Sequence, residues 1–240
     1  MSFPESGAIE GEENDEKNSD DSIFFYMLLG VTGIPEAFAY QASDYQAHYS
    51  DVSTTPHADT AAYYQRQMQY TAGVYTDVDA SDADARMGQD NLFYASGHGS
   101  QSGGIAIKQG SWLWANFPGQ PTISDNDLRY LALAVYLALA VYSSCYSSYD
   151  GQYGNLAQKS VDKGADAAIG WPDTIYSGQS GTWDDDFWAE CSNGKTISDA
   201  ASAATWYVRI CFLNNCGGTD QYSIRGNTSL VIKPAKAGVP

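Results

Sequence analysis

Basic residues are scarce in this sequence. Lysine and arginine together number 12, against 29 aspartates and glutamates, and the formal net charge is −17. A nucleic-acid-binding protein needs a basic face to contact phosphates, so the composition disfavours that class of partner. An anionic membrane surface would repel the chain for the same reason. The low lysine content and the preference for aspartate over glutamate favour an extracellular or cell-surface protein, with an intracellular protein of a high-salt organism as the alternative.

Long hydrophobic runs are also missing near the start of the chain. The most apolar segment there, residues 23–34 (IFFYMLLGVTGI), has 12 residues, whereas a membrane-spanning helix needs about 20. We predict a first buried strand; the alternative is a signal-peptide remnant, which the acidic preceding segment argues against. That segment, residues 1–22, contains eight acidic residues and one lysine and is predicted to be a mobile acidic tail. Residues 23–240 are predicted to form a single domain.

The few cysteines and histidines do not suggest a metal centre. The four cysteines form no C-x-x-C pair, and the three histidines lie far from them, so no zinc site is expected. Cys211 and Cys216 either close a small disulfide loop or remain two thiols. Four aspartates between Asp77 and Asp84 do not fit an EF-hand, because glycine and glutamate are missing at the required places. A looser structural calcium site and the acidic start of a helix both remain open there.

Helix-like and strand-like segments alternate along most of the chain. Helices are predicted over 58–72, 154–163, 183–191 and 197–214, and another is predicted after Ser124, ending in the first copy of a repeated LALAVY. Strands are predicted over 74–78, 91–96, 137–142, 165–171 and 229–232, whereas residues 40–57 are predicted to be a loop. Apolar strands that alternate with helices are typical of an α/β domain with a mainly parallel sheet covered on both faces.

A histidine and a cysteine each follow one of these apolar strands. NLFYAS leads into Gly97-His98-Gly99, and LALAVY leads into Ser143-Ser144-Cys145. In α/β sheets, sites form at the carboxyl ends of the strands, so the two side chains face each other if their strands are neighbours. A thiol beside an imidazole is a nucleophile with its general base, and it can attack a carbonyl. The alternative is a buried cysteine and an unrelated turn histidine.

In this hypothesis there is a physical reason for the glycines on either side of His98. Glycine lets a substrate backbone approach closely. The backbone amides of Gly99 and Cys145 are then placed to bind the oxyanion that forms during attack on a carbonyl.

The segments FYASGHGS and LALAVYSSC resemble the two signature blocks of the caspase–gingipain–legumain–clostripain clan of cysteine peptidases. The order of GHG, the strand-borne Cys145 and a later GADAAIGW is most similar to gingipain-like or CHAT-type members. The resemblance implies a three-layer αβα sandwich of the caspase-like type. It also implies a Cys145–His98 dyad that acts on a peptide or protein substrate and requires no metal or other cofactor for its chemistry. The chain lacks Q-A-C-R-G, and Ser144 stands where many members have alanine.

The resemblance also implies the place of a specificity pocket. Relatives build it partly from the strand end that corresponds here to residues 170–173, so Trp171 is predicted to form an apolar wall and Asp173 to select a basic P1 side chain. A surface turn at Asp173 is the alternative, and the carboxylates at 184–186 are rival sources of negative charge. The sequence is therefore interpreted as a cysteine endopeptidase. The alternatives are a caspase-like scaffold or binding module without proteolytic activity and a Cys–His acyltransferase or amidase.

Overall fold

A computed structural model describes residues 40–47, 57–125, 128–130 and 135–232 of the chain. The predicted acidic tail (1–22) and the predicted first strand (23–34) lie outside the described residues. So does most of the first LALAVY copy, residues 131–134.

A six-stranded sheet forms the centre of the fold, and a small three-stranded sheet and a two-stranded hairpin accompany it. In chain order the strands are β1 Gln41–Gln46, β2 Thr71–Thr76, β3 Leu92–Ser96, β4 Gly99–Ser100, β5 Gly104–Lys108, β6 Ser111–Trp114, β7 Arg129–Tyr130, β8 Val135–Tyr136, β9 Leu139–Ser143, β10 Ala167–Gly170 and β11 Ser223–Gly226. The central order is β11-β10-β9-β3-β1-β2, with every pair parallel except β10–β11. This architecture confirms the predicted α/β fold class with its mainly parallel sheet.

Helices cover both faces of the central sheet. They are α1 His57–Gln67, α2 Ala80–Met87, α3 Leu156–Lys163, α4 Ser177–Ser192 and α5 Ile197–Cys211. Helices α1, α4 and α5 contribute to one hydrophobic core, and α2 and α3 contribute to the core on the other face. Thr196 caps α5 and Asn155 caps α3, each by accepting a backbone N–H from the residue three positions on. No helix in the described part of the chain is long and apolar enough to cross a membrane.

Side chains alternate between the two cores along each strand. Leu92 and Tyr94 of β3 point into the core formed with α1, α4 and α5, whereas Phe93 and Ala95 point into the other core. Because this alternation has a period of two, Ser96 and Ser143, the last residues of β3 and β9, lie on the α4 side of the sheet. That face therefore carries the polar ends of the two strands that lead to His98 and Cys145.

Several predicted elements need correction. Residues 40–57 were expected to be a loop, but they contain β1, in which the polar side chains of Ser43, Asp44 and Gln46 are buried. After Ser124 a helix was expected; the structure has a short 3₁₀ turn, Ile123–Asp125, followed by the β7–β8 hairpin. The last strand in the described residues is Ser223–Gly226 rather than residues 229–232, because it is this segment that pairs with β10 and forms one edge of the central sheet. The second LALAVY copy does form the predicted strand, β9.

Candidate active site

His98 and Cys145 follow two neighbouring strands at the same edge of the sheet. Strands β3 and β9 are parallel, and Ser96 lies opposite Ser143 in their register. His98 and Cys145 each come two residues later, so they leave the sheet at equivalent positions. The structure therefore shows that the two strands are neighbours; that the His98 and Cys145 side chains face each other as a dyad stays a prediction.

The loop that carries His98 packs directly on the backbone of Cys145. A Cβ atom added to Gly99 would lie 1.5 Å from the Cys145 carbonyl oxygen, so only glycine fits there. The His98 carbonyl accepts a hydrogen bond from the Ala106 N–H at 2.8 Å, which ties the loop to β5. A side chain at Gly97 would collide with the Ala106 carbonyl, 2.3 Å from its Cβ. Both glycines flanking His98 are thus required for close approach of backbones.

The turn that carries Cys145 is tightly bonded to the segment after β10. The half-buried Cys145 Sγ lies 3.4 Å from the backbone nitrogen of Ile175, which donates to it, and 3.6 Å from the Ile175 carbonyl oxygen. The next residue, Tyr146, has a φ of 59°, a left-handed conformation that is uncommon outside glycine, and its N–H donates to the Asp173 carbonyl at 3.2 Å. These contacts hold the sulfur and the turn in one place.

A buried serine organises the same turn, and sequence reasoning missed it. The Ser147 hydroxyl lies 2.8 Å from the Tyr142 carbonyl oxygen and 2.9 Å from that of Ser144, and it accepts the Trp171 N–H at 3.0 Å. It is fully buried. Ser147 therefore joins the end of β9 to the end of β10.

The two predicted oxyanion donors, the backbone amides of Gly99 and Cys145, are not used in the hydrogen bonds of the β4–β5 ladder. The Ala106 N–H donates to the His98 carbonyl and not to that of Gly99. Gly99 and Ile105 are therefore a non-hydrogen-bonded pair of the antiparallel ladder. In such a pair the Gly99 amide faces away from β5. The Cys145 amide has no acceptor among the described residues. Both amides therefore have the freedom that binding an oxyanion requires.

The predicted pocket residues differ in their placement. Trp171 is 0% exposed: its ring makes an edge contact with Trp183 at 5.0 Å, and its Nε1 donates to the Thr219 carbonyl at 3.1 Å. The ring belongs to the core, where no substrate touches it, so its assignment as a pocket wall is corrected. Asp173 is exposed and lies beside the Cys145 turn through the Tyr146 hydrogen bond. Its role in specificity stays a prediction.

A carboxylate lies buried beneath the two strand ends. Asp184 of α4 is 0% exposed, and its Oδ2 accepts hydrogen bonds from the Ser143 hydroxyl at 2.5 Å and the Tyr94 hydroxyl at 2.9 Å. Burial raises the pKa of Asp184 to about 7, an effect that the charge of His57 and the two hydrogen bonds reduce. Being buried, Asp184 cannot present its charge to a substrate, which removes it as a rival to Asp173.

His57 of α1 lies next to this carboxylate. Its Nδ1 lies 3.6 Å from Oδ1 of Asp185, and its ring occupies the space that a side chain at Gly181 would need. Burial lowers the pKa of His57, but the contact with Asp185 and the charges of Asp184 and Asp185 outweigh it, and the pKa rises above its usual value. No pattern in the sequence connects this histidine with Asp184 and Asp185, which lie more than 120 positions further along the chain.

Two of the four aspartates that follow β2 form ion pairs. Asp79 lies 2.6 Å from the Lys108 ammonium, and Asp82 accepts from Arg86 at 3.2 Å and from the Tyr45 hydroxyl at 3.0 Å. No group of three or more His, Cys, Asp or Glu side chains in the described ranges is arranged to hold a metal ion. The four cysteines, including Cys211 and Cys216, are free thiols.

Comparison with solved structures places this architecture among the caspase-like α/β folds. The chain is similar to the Arg-specific cysteine proteinase gingipain R (TM-score 0.59, 13% identity, covering 83% of this chain and 49% of that one). It is also similar to the complex of the pro- and mature domains of RgpB from Porphyromonas gingivalis (TM-score 0.57, 13% identity, covering 83% and 50%). The chain thus spans about half the length of these structures. No protein-family model and no curated protein sequence matches it.

Proposed function

We propose that the protein is a cysteine endopeptidase in which Cys145 is the nucleophile and His98 the general base. The observation that carries this proposal is the packing of the His98–Gly99 backbone against the Cys145 carbonyl at the ends of two adjacent parallel strands. Fixing a thiol and an imidazole on rigid strand ends is what nucleophilic catalysis needs, because a small displacement of either group is costly. The caspase-like fold, shared with an Arg-specific cysteine proteinase, supports the same chemistry and a protein substrate.

The reaction follows from these positions. His98 takes the Cys145 proton, and the sulfur attacks the scissile carbonyl carbon, so that the carbonyl electrons move to oxygen. The Gly99 and Cys145 amides donate to that oxyanion. The C–N bond then breaks as the His98 imidazolium protonates the leaving amine, and a thioester remains on Cys145. Water, deprotonated by His98, attacks the thioester and releases the acid and the free thiol.

Removal of either dyad member tests the proposal. Cys145→Ala and His98→Ala are each expected to lower the cleavage of a fluorogenic peptide library by at least about 1,000-fold, because dyad members act as a unit. Cys211→Ala is the matched control, since it removes an exposed thiol from α5, and it should retain full activity.

A thiol-directed probe separates the alternatives. Labelling of Cys145 in preference to the other three cysteines, together with peptide cleavage, agrees with a peptidase. Preferential labelling without cleavage of any peptide would point to an acyltransferase or amidase. Equal labelling of Cys145 and the exposed Cys211, without cleavage, would favour a scaffold or binding module.

The proposal includes a preference for a basic P1 residue, selected by Asp173. Its backbone carbonyl bonds to the Cys145 turn, and its carboxylate is exposed and accepts the Thr174 N–H at 2.7 Å, so pairing of the carboxylate with a lysine or arginine is worth about 1 kcal/mol. Asp173→Ala should therefore reduce kcat/KM for Arg and Lys P1 peptides about five- to tenfold at low salt and leave neutral P1 peptides unchanged.

Asp162→Ala is the control for this change, because Asp162 is an exposed carboxylate near the end of α3, the helix that leads away from the site. The same loss for neutral P1 peptides, or a wild-type preference for acidic P1 residues, would exclude Asp173 as the selector.

A further inference from the structure

The carboxylate of Asp184 connects both strands that carry the dyad. Tyr94 belongs to β3, which leads to His98, and Ser143 ends β9, which leads to Cys145. Both hydroxyls donate to the same oxygen, Oδ2, whereas Oδ1 is buried and has no hydrogen-bond partner among the described residues. Helix α4, which supplies Asp184, begins two residues after Ile175, whose backbone contacts the Cys145 sulfur. The side chain of Asp184 therefore connects the two strands that lead to the proposed dyad.

We propose that Asp184 is a positioning residue whose ionised carboxylate, by accepting from Tyr94 and Ser143, clamps the middle of β3 to the end of β9 and keeps Cys145 in its reactive position. The inference rests on the proposed function for its biological meaning. What it predicts is the reactivity of the Cys145 thiol, which can be measured whether or not the protein cleaves a peptide.

The clamp needs the negative charge. An O–H···O⁻ hydrogen bond is short, about 2.5–2.7 Å, and roughly twice as strong as a neutral one, and the 2.5 Å contact of Ser143 lies in that range. A proton added at Oδ1 would be a buried donor without an acceptor in the described structure, and one added at Oδ2 would compete with the two hydroxyls. Protonation therefore weakens the link between the two strands.

The surroundings of Asp184 place its change of protonation near neutral pH. Burial raises the pKa of Asp184 to about 7. The groups that act on it are His57 of α1, which favours the ionised form, Tyr94 of β3 and Ser143 of β9, which donate to it, and Asp185 of α4, which opposes its ionisation. Asp44 of β1 lies opposite Tyr94 in the sheet and is itself a buried carboxyl with a raised pKa.

Site-resolved alkylation tests the clamp. The rate at which iodoacetamide modifies Cys145 is measured by mass spectrometry between pH 5.5 and 8.5 in wild type and Asp184→Asn, a variant that keeps the shape and removes the charge. We expect the wild-type to variant rate ratio to be near one at pH 5.5 and to rise to tenfold or more by pH 8. Asp186→Asn, a half-exposed carboxylate two residues along α4, is the control and should give a ratio near one throughout.

Two further variants remove the donors and keep the charge. Ser143→Ala and Tyr94→Phe should each slow alkylation of Cys145 several-fold at pH 8. If Asp184→Asn does not fold, as judged by its thermal melt, these two decide the question. If the rate ratio is constant with pH, the charge of Asp184 does not matter and the residue has only a structural role. If Asp184→Asn slows alkylation but Ser143→Ala and Tyr94→Phe do not, the charge acts on Cys145 through its electric field and not through the two hydrogen bonds. Either result overturns the clamp.

Peptide cleavage by the same proteins keeps the two ideas apart. If wild type cleaves no peptide but the alkylation ratio rises with pH, the peptidase proposal fails and the clamp stands. If wild type cleaves peptides and the ratio stays flat, the clamp fails and the peptidase stands.

Discussion

Gly99→Ala is expected to slow the reaction at Cys145 by at least about 100-fold. The new Cβ would lie 1.5 Å from the Cys145 carbonyl oxygen and 2.6 Å from its carbonyl carbon. Both are backbone atoms, so they cannot rotate out of the way as the end of a flexible side chain could. The His98 loop and the Cys145 turn must therefore separate by about 2 Å to reach the 3.4 Å of an ordinary contact. A misplacement of about 1 Å in a catalytic site already costs about 100-fold.

The measurement is peptide cleavage together with iodoacetamide modification of Cys145. Gly178→Ala is the matched control, because Gly178 lies in the first turn of α4 and a Cβ there meets no atom within 4 Å. The control should keep its activity. Full activity in Gly99→Ala, with an unchanged thermal melt, would show that the close packing of the two loops is not needed for reaction and would remove the main support for the dyad.

The two candidate dyad residues could be proposed from the sequence because the strands before them are apolar and end in small residues. LFYAS and LAVYS are buried along their whole length, so both were recognisable, and the rule that sites form at the carboxyl ends of strands pointed to His98 and Cys145. The adjacency of β3 and β9 was an assumption at that stage. The register of Ser96 with Ser143 is what the structure adds.

Strand β1 was missed because polar contacts between distant residues stabilise it. Its sequence, QASDYQ, looks like a loop, yet Asp44 is buried against the Gln65 amide at 2.7 Å, and the Ser43 hydroxyl donates to Asp90. These partners lie 21 and 47 positions away in the chain. A hydrophobicity pattern cannot detect a buried polar strand whose partners come from elsewhere.

Asp184 and Trp171 were misjudged for the same physical reason. One of three consecutive aspartates looks like a surface charge, and Asp184 becomes a core residue only through hydroxyls 41 and 90 positions earlier. Trp171 follows a strand end and looks available to a substrate, but Thr219, 48 positions later, accepts its indole N–H in the core. Burial of a polar atom depends on tertiary partners, which a single sequence does not identify.

The protein is expected to lose about 4 kcal/mol of stability between pH 5 and pH 8. Burial raises the pKa of Asp90 from 3.8 to about 6 and that of Asp184 from 3.8 to about 7. Over the interval between the unfolded and folded pKa, the native state binds more protons than the unfolded state, so stability falls as pH rises. Ionisation of Asp90 lowers stability over about one pH unit, from pH 5 to its folded pKa, and ionisation of Asp184 does so over about two units. Each unit lowers the free energy of unfolding by about 1.36 kcal/mol.

Other groups act in the same direction. Among the described carboxyl groups with a resolved shift, which also include Asp44, Asp166 and Asp186, every pKa is raised. The raised pKa of His57 contributes stability that is present below the unfolded value of 6.5 and is lost as pH rises through the folded pKa. A net charge of −17 adds repulsion that mild acid relieves.

Urea unfolding at pH 5, 6, 7 and 8 measures this loss. Asp90→Asn should flatten the profile between pH 5 and 6, where Asp90 takes up its charge, and Asp184→Asn should flatten it up to pH 7. Asp162→Asn is the control and should reproduce the wild-type profile, because this carboxylate is exposed on α3. Stability that rises with pH between 5 and 7 would mean that carboxylates stabilised by ion pairs outweigh the buried ones, and the assignment of Asp90 and Asp184 as destabilising when ionised would be wrong.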